Sequence, residues 1–145
     1  MKETTDMRTG ARVLLVDDEP SDLMIAKMAS KRTKVIGELK VFSDALQALK
    51  FLQESEDWLP HLIISDLNMP RLNGFELLEE LKKDSRLKAI PVVVLSTSSD
   101  PRDVRKSYEL SANSYVTKPT GFPEFMKAWG GIEQFWLKLT QNPIP

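Results

Sequence analysis

The chain is 145 residues long, the size of one ordinary domain, and its 41% hydrophobic and 28% charged residues suit a globular fold with a single core. With 20 basic against 21 acidic residues the net charge is −1, which argues against the basic footprint of a nucleic-acid or membrane-surface binder. There is no cysteine, so disulfides, thiolate nucleophiles and thiolate metal sites are excluded, and a reducing compartment is expected.

Residues 1–10, MKETTDMRTG, are polar and mixed in charge, lack the apolar run of a signal peptide, and read as a mobile N-terminal tail. No apolar run approaches the roughly 20 residues needed to cross a bilayer, so a cytoplasmic protein is expected. Val13–Val16 is the first strand and ends abruptly at Asp17-Asp18-Glu19-Pro20. A helix follows over 21–34, with Leu23, Met24, Met28 and Val35 on a loose apolar stripe. Leu39–Phe42 is a weaker second strand. The next helix starts at a Ser43 or Asp44 cap and carries Leu46, Leu49 and Leu52. Residues 54–60, with Trp58, read as a polar excursion between elements. Leu62–Ile64 is the third strand and ends at Ser65-Asp66; a helix over 74–83 then carries Phe75, Leu78 and Leu81. Val92–Leu95 is the fourth strand and ends at Ser96. Asp100-Pro101 opens another helix, a capping carboxylate followed by proline in the first turn. Ser114–Thr117 is the fifth strand, ending at Lys118-Pro119. The last helix is placed over 123–139, with Phe125, Met126, Trp129, Ile132, Trp136 and Leu139, leaving 140–145 as a C-terminal tail too short for an output domain.

Strand and helix alternate throughout, and strands without an inner and outer face are those of a parallel sheet covered on both sides. In a doubly wound five-stranded parallel sheet of order 2-1-3-4-5, ligands bind at the carboxyl ends of strands 1 and 3, where the order reverses. Those ends carry Asp17, Asp18 and Asp66. Singly, each acid is explained as a helix cap or a turn residue. Jointly they are not, because like charges a few Å apart repel by roughly 4 kcal/mol at an effective dielectric near 20, and a bound dication removes that penalty. Three carboxylates with room for water suit Mg²⁺ and leave Asp66 as a nucleophile toward phosphorus. Ser96 and Lys118 close strands 4 and 5 at the same edge, adding a hydroxyl donor and a point charge for a phosphoryl oxygen.

The segments VLLVDDEP, LIISDLNMPRLNGFELL, PVVVLSTSSD and NSYVTKP resemble the four landmark motifs of the response-regulator receiver family, in order and spacing, across about residues 11–139. The resemblance implies an α/β, flavodoxin/CheY-like fold with helices on both sheet faces. It implies a single-domain response regulator of a two-component system, a phosphoacceptor signalling protein rather than an enzyme with an external substrate. Position by position, Asp66 matches the phosphoacceptor. Asp18 matches a direct Mg²⁺ ligand, Asp17 one acting through water, and Asn68 the residue whose backbone carbonyl completes the metal site. Ser96 matches the switch hydroxyl, Tyr115 the switch aromatic and Lys118 the phosphoryl-contacting lysine, with a cis Lys118-Pro119 bond. Phosphorylation then remodels the surface of helix 4, strand 5 and helix 5.

Asn68 and Ser98 flank the pocket where the family tunes hydrolysis of the acyl phosphate, and Ser111 stands where a glycine is common. Gly130-Gly131 predicts a kink in the last helix or the close approach of another backbone. Phe135 and Trp136 point about 100° apart on a helix, so one of them is left for a partner surface. The 54–60 insertion, VVVLSTSS, the KSYEL and NSY segments and the terminal Phe-Trp resemble the single-domain regulators that partner bacterial phytochromes and related histidine kinases. That implies a sensor histidine kinase as partner, an unknown downstream protein, and a homodimer through the C-terminal face. His61, the only histidine, follows Pro60 at a strand entrance and reads as structural. Two alternatives stand beside this reading. A haloacid-dehalogenase-type phosphatase also uses an Asp nucleophile but wants a second aspartate two residues on, where Asn68 stands. A receiver-like scaffold that is never phosphorylated would not need all five pocket positions filled.

Overall fold

The structure is a computed structural model and describes residues 10–145; the expected tail lies outside the described residues apart from Gly10. Strands β1 (Ala11–Val16), β2 (Ile36–Phe42), β3 (Leu62–Ser65), β4 (Val92–Ser96) and β5 (Ser114–Thr117) alternate with α1 (Pro20–Thr33), α2 (Ala45–Glu54), α3 (Gly74–Lys83), α4 (Pro101–Glu109) and α5 (Phe122–Glu133). A π-helix, Gln134–Leu139, continues from α5. The strands form one sheet of order β2-β1-β3-β4-β5, every neighbouring pair parallel, as expected from the sequence.

Because successive strand residues point to opposite faces, each central strand feeds two cores. Leu14, Val16, Ile63, Val92 and Val94 pack with Leu49, Leu52, Leu77, Leu78 and Leu81 of α2 and α3. Val13, Leu15, Leu62, Ile64, Val93 and Leu95 pack with Ala26 and Ala29 of α1 and Phe125, Trp129 and Ile132 of α5. This double burial is why β1, β3 and β4 read as unbroken apolar runs.

The helix starts follow local chemistry. Asp44, not Ser43, caps α2 by accepting from the Leu46 and Gln47 N–H groups, and Asp100 caps α4 by accepting from Arg102 N–H. Asn73 and Glu76 form a reciprocal capping box on α3.

Four expectations are corrected. In α1 the buried face is Ala26, Ala29 and Ser30, whereas Met24 and Met28 are exposed; small residues let the helix lie close to the sheet, and the bulky thioethers fall on the outer side. Leu46 of α2 is likewise exposed. The final helix is not α-helical to 139. It changes to π geometry after Glu133, just past the two poor helix formers Gly130 and Gly131, and the Gln134 N–H is shared between their carbonyls. Among the described residues no other backbone approaches those glycines: outside their own helix, nothing lies within 4 Å of where either side chain would begin. Finally, the Lys118–Pro119 bond is trans, as is every peptide bond among the described residues. An X–Pro bond favours one isomer by only about 0.5–1 kcal/mol, so the dipeptide alone does not dictate it.

The remaining singled-out residues take these places. Trp136 is half-buried and donates to Ser114 Oγ at 3.2 Å, leaving Phe135 exposed. Trp58 packs edge-on against Phe51 and donates to Glu38. Ser111 adopts the left-handed conformation, φ 76°, without glycine. Residues 140–145 lie against the domain: Ile144 is buried, and Asn142 donates to the His61 carbonyl.

Candidate functional site

The pocket is assembled by the ends of the parallel strands. Each strand-end residue is tied by its backbone to the strand beside it. Asp17 N–H donates to Phe42 O at 3.0 Å, Asp66 N–H to Val16 O at 2.9 Å, and Lys118 N–H to Ser96 O at 2.7 Å. Sheet register therefore delivers Asp17, Asp66, Ser96 and Lys118 to one edge. Gly74 adds a constraint. A side chain there would collide with the Asp66 carbonyl oxygen and Leu67 Cα, so only glycine lets the start of α3 press against the acceptor loop.

Within this frame one oxygen each of Asp17, Asp18 and Asp66 lies within 4.8 Å of the others. Octahedral magnesium, with bonds of 2.0–2.1 Å, holds oxygens about 3 to 4 Å apart, so a small contraction would let all three share one ion. Asp17 and Asp66 are buried and Asp18 is exposed, leaving an open side for water. The donor set, all oxygen with a solvent side, fits that ion. Asn68 follows Asp66 in the same loop and is exposed.

Lys118 is the electrostatic centre of the pocket. Its ammonium lies 2.8 Å from Asp17 Oδ2, 3.1 Å from Asp66 Oδ2 and 2.7 Å from Asp22 Oδ2, with its side chain only 3% exposed. Burial alone would favour the neutral amine, but hydrogen bonds donated to Asp17 and Asp22 and the charges of Asp17 and Asp66 outweigh it and hold the lysine above its usual range. Burial pushes the Asp17 carboxyl up to about 6, against the bonds from Lys118 and the Glu19 N–H that favour its ionised form. The second oxygen of Asp66 accepts the Leu67 N–H at 2.7 Å, fixing the carboxylate plane.

Ser96 is fully buried at the end of β4, and its Oγ accepts the Ser98 N–H at 3.2 Å. The Ser98 carbonyl accepts the Tyr115 hydroxyl at 2.7 Å. The two residues assigned to the switch are thus joined through a single residue, Ser98, whose own hydroxyl donates to Asp103 of α4 at 2.6 Å. Ser98 was visible in the sequence only as a flanking position. Asp22 belongs to none of the sequence motifs; its one signal is a third aspartate following Asp17-Asp18, in the first turn of α1. His61 lies at the opposite end of β3. It is buried, and its Nδ1 accepts the Arg12 N–H at 2.9 Å, a bond between strand starts rather than part of the pocket.

Comparison with known proteins identifies the family. Residues 13–129 match the family described as Response regulator receiver domain. Response regulator Rcp1 of Synechocystis is 40% identical over 135 residues, covering 90% of this chain and 92% of that protein. The crystal structure of the phosphorylated cyanobacterial phytochrome response regulator RcpA superposes with a TM-score of 0.87 at 36% identity, covering 92% of this chain and 98% of that one. The Mn²⁺-bound form of Rcp1 gives 0.85 at 39% identity, with 92% and 99% covered. From the family match and the relatives' coverage, this chain belongs to the response regulator receiver domain family.

Proposed function

We propose that Asp66 accepts a phosphoryl group from a phosphohistidine of a sensor histidine kinase. A lone pair on an Asp66 carboxylate oxygen forms the new O–P bond while the P–N bond to the donor imidazole breaks, its electron pair leaving on nitrogen. Bound Mg²⁺, held by Asp18 and Asp66, by Asp17 through water and by the Asn68 carbonyl, would neutralise charge on the transferring oxygens. Lys118 supplies a fixed positive charge to a phosphoryl oxygen, and Leu67 N–H orients the attacking carboxylate. The observation that carries this reading is the shared contact of Lys118 with Asp66 and Asp17 in a pocket where three carboxylates converge.

The readout follows from the hydrogen-bond chain. A phosphoryl oxygen draws the Ser96 hydroxyl, the Ser98 N–H loses its acceptor, and the Ser98 carbonyl moves with Tyr115 attached. The face of α4, β5 and α5 changes in consequence. The unit that performs this is residues 11–139, with 140–145 as a short extension, working in the cytoplasm. A phytochrome-type kinase is the proposed donor, because the relative RcpA is a cyanobacterial phytochrome response regulator. The C-terminal face, where Phe135 is 47% and Leu139 68% exposed one turn apart, is the proposed homodimer contact; sedimentation of Phe135→Ser as a dimer indistinguishable from wild type would rule it out.

The direct test is incubation with acetyl phosphate and Mg²⁺ followed by intact mass measurement. One phosphoryl adduct is expected on the wild type, and none on Asp66→Asn or in the presence of a chelator. An adduct that persists on Asp66→Asn removes Asp66 from the role.

A further inference from the structure

Lys118 faces three carboxylates, and they are not equivalent. Asp17 and Asp66 belong to the cluster of oxygens that can share a cation, and Asp66 is also the proposed nucleophile. A metal ion and an incoming phosphoryl group would both draw on the oxygens that Lys118 holds there. Asp22 stands outside that cluster, on the first turn of α1, yet its contact with the ammonium is the shortest of the three at 2.7 Å. Its side chain is 18% exposed, so the ion pair is shielded on most sides. We propose that Asp22 is a positioning residue, the carboxylate that keeps the Lys118 ammonium on the pocket wall when Asp17 and Asp66 turn to metal and phosphorus.

The placement of Asp22 supports this. Pro20 lies in the first turn of α1, and Asp17 Oδ1 accepts the Glu19 N–H at 2.9 Å, so the strand end and the helix start are locked together. Asp22 is therefore held at a fixed distance from the strand ends rather than on a free loop. A carboxylate in the first helical turn is also favoured by the helix dipole, so the pocket keeps a carboxylate there at little cost to the fold. Without it, the ammonium keeps only the two partners that metal and phosphorus claim. It then competes with the cation for Asp17 and shields the nucleophilic oxygen of Asp66.

This inference rests on the reading of Lys118 as the phosphoryl-contacting residue, and the experiment separates the two. The rate of phosphorylation by acetyl phosphate at saturating Mg²⁺ is measured for wild type, Asp22→Asn and Asp22→Glu, together with the NMR signal of the Lys118 ammonium in Mg²⁺. That signal is visible only while hydrogen bonds slow proton exchange. In Asp22→Asn the rate is expected to fall about tenfold, the factor carried by one charge-assisted hydrogen bond, and the ammonium signal to vanish. Asp22→Glu, which keeps the charge and can still reach the amine, is expected to restore both. An unchanged rate in Asp22→Asn overturns the inference while leaving the acceptor reading intact. So does a slowed rate with the ammonium signal retained, which would mean that Asp22 acts by charge at a distance. Absence of phosphorylation in the wild type itself would instead overturn the acceptor reading, and the ammonium signal would still report on Asp22.

Discussion

At the scale of single residues, what a buried charge does depends on how many partners it must share. Lys118 faces three carboxylates and carries one positive charge, and Asp18 adds a fourth acid to the pocket, which therefore has a standing excess of negative charge and an affinity for a cation. Glu133 shows the opposite arrangement. It is buried between α1 and α5 with one oxygen accepting from Thr33 Oγ1 at 3.0 Å and Trp129 Nε1 at 3.2 Å. Burial raises its carboxyl above the usual value of 4.5, against the two donors and the charge of Lys138. The folded chain then binds this proton more tightly than the unfolded chain. Stability from this site is full below pH 4.5 and declines as pH rises through the folded value. Urea unfolding from pH 4.5 to 7 is expected to show wild type losing stability relative to Glu133→Gln, which keeps an acceptor oxygen and has no charge to bury. Parallel pH profiles for the two would refute this assignment.

At the scale of elements, glycines in similar sequence settings have opposite roles. Gly131 sits in α5 with open space where its side chain would begin, so Gly131→Ala is expected to raise stability by about 0.5–1 kcal/mol. Gly74 opens α3 against the Asp66 carbonyl, so Gly74→Ala is expected to lower stability and slow phosphorylation together, because the acceptor loop must move. Thermal melts and acetyl phosphate kinetics distinguish the two; a stabilised Gly74→Ala would contradict the close approach. Elements whose identity is set locally were legible in the sequence. The Asp100 cap, the bounds 74–83 and the apolar strands needed only turn chemistry and burial pattern, while the α2 cap was narrowed to Ser43 or Asp44. The buried face of α1 was not legible, because alanine and serine give a weak apolar signal and two exposed methionines a strong one. The π segment was not legible either: side-chain periodicity cannot distinguish the last turns of an α-helix from a widened continuation.

At the scale of the whole molecule, topology turns scattered residues into a site. Asp17, Asp66, Ser96 and Lys118 are far apart in the chain, and each is bland alone. The order β2-β1-β3-β4-β5 brings their strand ends to one edge. That convergence was readable from sequence because it depends only on strand order and strand ends. Asp22 and the Ser98 bridge were not, since both depend on side-chain reach across elements, from α1 to β5 and from the β4–α4 loop to β5. The central claim is that this convergence makes Asp66 the acceptor. An acyl phosphate on aspartate is reduced by borohydride to homoserine, so phosphorylation in Mg²⁺, borohydride treatment and peptide mass spectrometry locate the modified residue. The account predicts homoserine at position 66 alone, absent when Mg²⁺ is withheld. Homoserine at position 17, 18 or 22, or reduction at no position after a phosphoryl adduct has been seen, would contradict it.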